Sequence, residues 1–255
     1  MVKTLITSGC SFTQTHLPSM NITISNWPLH LSTRHDLELV NYGYMNSGNA
    51  MIARTILHGV TKYLNQAPDI LVGIMWSGRN RHSVYKEDVI TPASPVPCGP
   101  RRFIDNPIDV EHPNSKVKKP GGWLDLNAIL SDDNPWKNTN NIWYNYFYDN
   151  TYSTILTLEN ILWVQSFLEL HNINYFMSVY TNDVLDYNVN DSNIKWMHDS
   201  VKWDKFIKIP MYEWCKDQSR EFIKFKDEHP SDIGSNEYVK NIIEPHLQSR
   251  GLLWI

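Results

Sequence analysis

Disulfide partners, an excess of positive charge and membrane-length hydrophobic runs are all missing from this chain. Its three cysteines, Cys10, Cys98 and Cys215, are odd in number and widely scattered, so no disulfide framework can be read from them. No apolar run approaches the roughly 18 residues that a membrane-spanning helix needs. Residues 1–8 are too short and too strand-like for a signal peptide. Lys and Arg total 23 against 27 Asp and Glu, a net charge of −4. That balance is poor for coating nucleic acid, where affinity comes largely from neutralising phosphates. A short basic run, Lys116, Lys118 and Lys119, reads as a solvated loop. No internal repeat or low-complexity tract is visible. The His-Glu-x-x-His and Cys-x-x-Cys spacings of metal ligands and the Gly-x-x-x-x-Gly-Lys phosphate loop are also missing. The expectation is a soluble, cytoplasmic protein with no cofactor, no metal, no nucleic-acid partner and no membrane span.

What is present points to one domain over residues 1–255. With 42% hydrophobic residues there is ample material for a core. Ten Trp and 13 Tyr are more than such a core requires. The surplus either lines a concave surface, where flat amphipathic rings give contact at low entropic cost, or packs beneath long loops.

Residues 3–8 are apolar and β-branched and stop at Gly9, which predicts a buried strand and a sharp turn. Residues 13–36 lack a clear period and read as loop with a single helical turn. A second strand is expected over 38–42. A helix follows over 47–66, with Ala53, Ile56, Leu57, Val60 and Leu64 on one face, Ser47 or Asn49 as cap, and Pro68 closing it. The continuous apolar run 69–76 is of the kind found in parallel strands covered on both faces. Residues 81–149, rich in Pro, Asn and aromatics, read as a structureless insertion rather than a domain. Its Trp123, Trp136, Trp143, Tyr144, Tyr146, Phe147 and Tyr148 suggest that it folds against something. Beyond it come a helix over 151–171, a strand over 174–179, a helix over 193–205, a short edge strand over 206–209 and a last helix over about 235–247 that Pro245 bends or ends. This alternation predicts a three-layer α/β/α fold with a mainly parallel sheet of about five strands. In such sheets reactive groups lie at the carboxyl ends of the strands.

Three strand ends carry unusual polar residues. Gly9-Cys10-Ser11-Phe12-Thr13 follows the first strand and projects a serine hydroxyl above the sheet, from a turn whose N–H groups can bind an anion. Asn46-Ser47-Gly48-Asn49 opens the first long helix, where N–H groups favour negative charge. Ser77-Gly78-Arg79-Asn80 follows the third strand, and Asn80 can offer an amide donor to an oxyanion. A fourth segment, Asp227-Glu228-His229-Pro230, precedes the last helix. There Pro230 restricts His229 to an extended backbone and Asp227 is close enough to orient its ring. Each alone is also readable as an ordinary cap, turn or charged loop.

In content and order, Gly9-Cys10-Ser11-Phe12-Thr13, Gly48, Gly78-Arg79-Asn80 and Asp227-Glu228-His229-Pro230 resemble the four blocks of the SGNH (GDSL-type) hydrolases. The resemblance spans nearly the whole chain apart from the insertion. It implies a flavodoxin-like fold and hydrolysis of ester-linked acyl groups, with a small-molecule or glycan acyl ester as substrate. Ser11 would be the nucleophile, His229 the base and Asp227 the acid. The N–H groups of Ser11 and Gly48 and the Asn80 side chain would form the oxyanion hole. Three positions depart from the pattern. Cys10 replaces the usual Asp, Arg81 follows Asn80 where Asp is common, and Asp227 lies two residues before His229 rather than three, which leaves Glu228 and Asp232 as substitutes. The altered blocks keep a second reading open, a catalytically silent glycan- or peptide-binding module; a thioesterase or acyltransferase would use the same serine and histidine. Glycosidase chemistry is disfavoured, since no carboxylate pair stands out beyond Asp132-Asp133.

Overall fold

The computed structural model describes residues 2–17, 22–45, 47–86, 122–126, 137–224 and 229–253. Its layers follow from the pleat. Five strands, β1 (Thr4–Gly9), β2 (Glu38–Asn41), β3 (Ile70–Trp76), β4 (Asn174–Val179) and β5 (Phe206–Ile207), form one all-parallel sheet in the order β2-β1-β3-β4-β5. Successive side chains on a strand face opposite ways, so each of the inner strands feeds two cores. Ile6, Val72, Ile74, Trp76, Tyr175, Met177 and Val179 face one cluster; Leu5, Leu71, Met75 and Phe176 face the other.

Helices cover both faces. The first cluster is closed by α2 (Asn49–Thr61), α4 (Asn150–Leu170) and α5 (Ser192–Ser200), reached after α1 (Trp27–Arg34) and α3 (Lys137–Tyr146) in the chain. The second is closed by α1, α6 (Met211–Gln218) and a C-terminal helical stretch, α7 (Asp232–Tyr238), the π turn Val239–Ile243 and α8 (Glu244–Ser249). This is the expected three-layer sandwich with flavodoxin-like strand order. The chain leaves β1 for one side of the sheet and β2 for the other, so a crevice opens above the carboxyl ends of β1 and β3. The register pairs Gly9 with Met75, which sets the loops after these strands side by side.

Several expectations need correction. Residues 13–36 contain more than one helical turn, namely a small ribbon (His16–Leu17 with Ile22–Thr23) and the two-turn α1. Helix α2 stops at Thr61, and Pro68 sits inside a separate 3-10 segment, Leu64–Asp69. Neither Ser47 nor Asn49 caps α2: Gly48 is the N-cap, and Ser47 Oγ donates to the Tyr44 carbonyl. Within 81–149, strands His82–Lys86 and Gly122–Leu126 pair antiparallel and α3 follows, so the insertion is not structureless. Helix α6 lies where the sequence pattern predicts no element. Pro245 does not end the last helix; the preceding turn widens, Glu244 N–H donating to the Val239 carbonyl five residues back, and α8 continues to Ser249. Cys98, Lys116, Lys118, Lys119, Asp132, Asp133 and Trp136, and the Trp123 side chain, lie outside the described residues. No helix among those described is long and apolar enough to cross a membrane.

Gly73 in the middle of β3 makes room for a ring contact on the second face. Trp27 and Phe176 meet edge-on at 5.7 Å, and a Cβ on Gly73 would stand 2.8 Å from Phe176 Cζ and 2.9 Å from Trp27 Cη2. Overpacking here should therefore be costly: Gly73→Val is expected to lower unfolding free energy by roughly 1–3 kcal/mol, read as an earlier midpoint in urea with an unchanged slope.

Candidate active site

The Ser11 turn is held from three directions. Thr13 and Gln14 N–H both donate to the Cys10 carbonyl, at 2.9 and 3.2 Å, which curls the chain as it leaves β1. The Thr13 side chain then folds back onto Gly9, where a Cβ would lie 2.1 Å from Thr13 Oγ1. Only glycine fits. Asn26, just ahead of α1, turns its buried amide away from the helix and donates to the Ser11 and Gln14 carbonyls at 3.0 and 2.6 Å. From the other side Asn41, at the end of β2, uses its full hydrogen-bonding capacity. Its Nδ2 donates to the Thr13 carbonyl and Thr15 Oγ1, at 2.7 and 2.8 Å, and its Oδ1 accepts from Thr7 Oγ1 and Gly43 N–H, both at 2.8 Å. Cys10 itself is fully buried in the second core, packed with Phe12 and Met75 rather than exposed at the crevice.

His229 reaches this turn from the far end of the chain. Its Nε2 lies 2.7 Å from Ser11 Oγ, and its ring packs against Phe12 with centroids 5.0 Å apart. The segment that carries it is pinned on both sides. Lys224 N–H donates to the His229 carbonyl at 2.8 Å, Ser231 N–H donates to the Phe222 carbonyl at 2.8 Å, and Ile223 bridges Pro230 antiparallel. Ser231 also caps α7, accepting from Gly234 N–H at 3.0 Å. Gly234 lets that helix press onto the segment, since a Cβ there would stand 2.2 Å from the Phe222 carbonyl oxygen.

The two loops expected to supply oxyanion donors are tied together by Asn49. Its Oδ1 accepts from Ser77 N–H at 2.8 Å, and its Nδ2 donates to the Ser77 carbonyl at 3.0 Å and to Thr157 Oγ1 at 3.1 Å. The reciprocal pair joins the start of α2, where Gly48 sits, to the loop after β3, where Asn80 sits. Asp183, on the loop after β4, fixes the same loop by accepting from Arg79 N–H at 3.1 Å and Arg79 Nε at 3.3 Å. Among the described residues no hydrogen bond claims the N–H of Ser11 or of Gly48, or the side-chain amide of Asn80. The Asn80 carbonyl accepts from the Tyr144 hydroxyl of α3.

Of the sequence-predicted set, the structure brings Ser11 and His229 into direct contact and places Gly48 and Asn80 on the loops at the carboxyl edge. Asp227 and Glu228, like Asn46, lie outside the described residues. Asp232 is not a partner of His229 in the contacts seen; it stands at the start of α7 with Oδ1 3.0 Å from His30 Nε2. Asn26, Asn41, Asn49 and Asp183 were missed as positioning residues. Each sits where the sequence shows only a polar residue next to a strand or helix end.

No family model matches the chain, and no curated protein does. Solved structures that align with it include TesA and LAE5. TesA does so at a TM-score of 0.48 and 11% identity, covering 98% of this chain and 100% of that one. LAE5, an alpha/beta hydrolase enzyme from the metagenome of Lake Arreo, Spain, does so at 0.45 and 13%, covering 100% of this chain and 99% of that one. Both are similar to this chain over nearly its full length. At these scores neither bears on the reading of the site, which rests on its own geometry.

The insertion docks beside the site through a ring cluster. His82 packs against Trp143 and Tyr148 with centroids 5.0 and 5.9 Å apart, and its Nε2 lies 3.3 Å from Ser153 Oγ. Burial pushes the His82 imidazole down to about 4. The neutral ring is thus favoured in the folded state. The unfolded chain binds a proton near 6.5 and the folded one does not, so stability is fully present above about 6.5 and falls as pH drops towards 4, by up to about 3 kcal/mol. Chemical denaturation of wild type and His82→Phe across that window should show a steeper acid loss for wild type.

Proposed function

We propose that the chain is a serine hydrolase that cleaves ester-linked acyl groups, with Ser11 as nucleophile and His229 as general base. The observation that carries this reading is the 2.7 Å separation of Ser11 Oγ and His229 Nε2, two groups 218 residues apart in sequence. A serine hydroxyl is a weak nucleophile unless an adjacent base takes its proton. With Nδ1 of His229 protonated, Nε2 is free to accept that proton as Oγ attacks the acyl carbon. The new C–O bond pushes an electron pair onto the carbonyl oxygen. Donors from Ser11 N–H, Gly48 N–H and the Asn80 amide would meet that charge, and one such donor is worth roughly 10²–10³ in rate.

Collapse of the intermediate breaks the ester C–O bond, and His229 returns its proton to the leaving alkoxide, giving the alcohol and an acyl-Ser11. Water then attacks the acyl carbon, His229 takes its proton, and transfer back to Ser11 Oγ releases the acid. Asp227 is assigned the part of orienting the His229 ring and stabilising its protonated form. The steps as written use no cofactor or metal.

Turnover of a short-chain aryl ester is the test. Ser11→Ala should reduce it by a factor of about 10³ or more while the unfolding midpoint stays put. Undiminished turnover in that variant would refute the assignment. Absence of turnover in wild type, with no labelling of Ser11 by a fluorophosphonate, would favour the silent binding module instead.

A further inference from the structure

Tyr180 is the first residue after β4, and its backbone is pinned where that strand ends. Its N–H donates to the Trp76 carbonyl at 3.2 Å, and its carbonyl accepts from Tyr212 N–H of α6 at 2.8 Å. The residue therefore stands at the carboxyl edge of the sheet, one strand beyond the loop that carries Asn80. Its ring packs on Phe12 with centroids 4.8 Å apart, and Phe12 packs on His229 at 5.0 Å. Its hydroxyl end reaches the loop after β3. A Cβ on Gly78 would stand 3.3 Å from Tyr180 Oη and 2.9 Å from Asn80 Oδ1, so the phenol and the Asn80 amide flank one point. The side chain thus runs from the Ser11 turn to the group expected to meet the oxyanion.

Among the described residues no hydrogen bond engages that hydroxyl. The side chain is half-buried, yet its hydroxyl, unlike Ser77 Oγ, is not sealed from solvent. Burial pushes the phenol up to about 12, so it keeps its proton at neutral pH and can donate. Asp183 Oδ2, also 3.3 Å from the Gly78 position, is already engaged by Arg79 N–H. What remains to accept from Tyr180 is the substrate. The leaving oxygen takes its proton from His229, so the alcohol lies against the imidazole. Tyr180 is separated from that imidazole by the Phe12 ring, and the substituent it meets is the acyl one. An aliphatic chain there would strip water from the hydroxyl and return no acceptor; an oxygen in the chain restores the bond.

We propose that Tyr180 is a specificity-determining residue whose hydroxyl donates to an oxygen in the acyl chain, selecting oxygen-bearing acyl groups over aliphatic ones of the same length. The inference rests on the hydrolase reading above and names the acyl class that reading leaves open.

Two pairs of para-nitrophenyl esters test it: methoxyacetate against butyrate, and β-methoxypropanoate against pentanoate. In each pair an ether oxygen, which can only accept, replaces a methylene. The ratio of kcat/KM within a pair is compared between wild type and Tyr180→Phe. Intrinsic ester reactivity is common to both enzymes, and the folded fraction is common to both esters, so each cancels. In Tyr180→Phe at least one ratio should fall by roughly threefold or more. A smaller change in both ratios would overturn the inference, including an equal loss on all four esters, the mark of a hydroxyl that only steadies Asn80. Wild-type turnover with unmoved ratios sinks this inference alone; no wild-type turnover of any of the esters sinks the hydrolase reading and this inference with it.

Discussion

A hydrogen bond of 2.7 Å between Ser11 Oγ and His229 Nε2 sets the terms for the rest of the molecule. Proton transfer depends steeply on such a distance, so both backbones must be placed to a fraction of an ångström. Side chains alone cannot do that. The serine owes its place to a strand buried on both faces in the middle of the sheet, followed at once by a turn that Gly9 and Thr13 close tightly. The histidine owes its place to an irregular segment held by backbone bonds to Phe222 and Lys224 and by α7 pressing in over Gly234. One partner is rigid by packing, the other by hydrogen bonding.

Asparagines, Asn26 and Asn49 buried and Asn41 half-buried, do much of the joining between layers. Asn26, Asn41 and Asn49 each link a strand end or helix start to a loop of the crevice, through six backbone-carbonyl and side-chain hydroxyl acceptors and two backbone donors. Removing one would leave partners buried and unpaired, which costs more than the bond itself contributes. Asn49 matters most for the chemistry, because it makes the α2 start and the loop after β3 move as one. An oxyanion hole assembled from two loops stays preorganised only if they are so coupled. The crevice thus inherits its precision from the same sheet register that pairs Gly9 with Met75.

Much of this was legible beforehand, for physical reasons. The short β-branched segment 4–8 and the continuous apolar run 70–76 are of the kind found in strands covered on both faces, and the glycines that follow them, Gly9 and Gly78, mark where the chain turns above the sheet. Ser11 and His229 stood out because Gly9 permits a sharp turn just ahead of the serine and Pro230 restricts the backbone at the histidine. Other features had no local signal. Helix α6 follows Pro210 with a polar, aromatic sequence whose buried positions are only Met211 and Cys215, too few to show a period. The π turn ahead of Pro245 is invisible because propensity rules treat proline as a stop rather than asking whether the turn before it can widen. The positioning asparagines were hidden for a similar reason: an amide's role depends on what lies across space, and loops 13–15 and 77–80 meet α1, β2 and α2 only in the folded chain.

The account's central claim is that His229 activates Ser11, and the rate at which Ser11 is phosphonylated measures this without reference to any natural substrate. Followed against pH, the second-order rate for wild type should rise through a single titration step. In His229→Gln that step should vanish and the rate drop by a factor of about 10² or more. Labelling of His229→Gln at the wild-type rate, with the same pH profile, would contradict the claim: the contact would then be packing and nothing more.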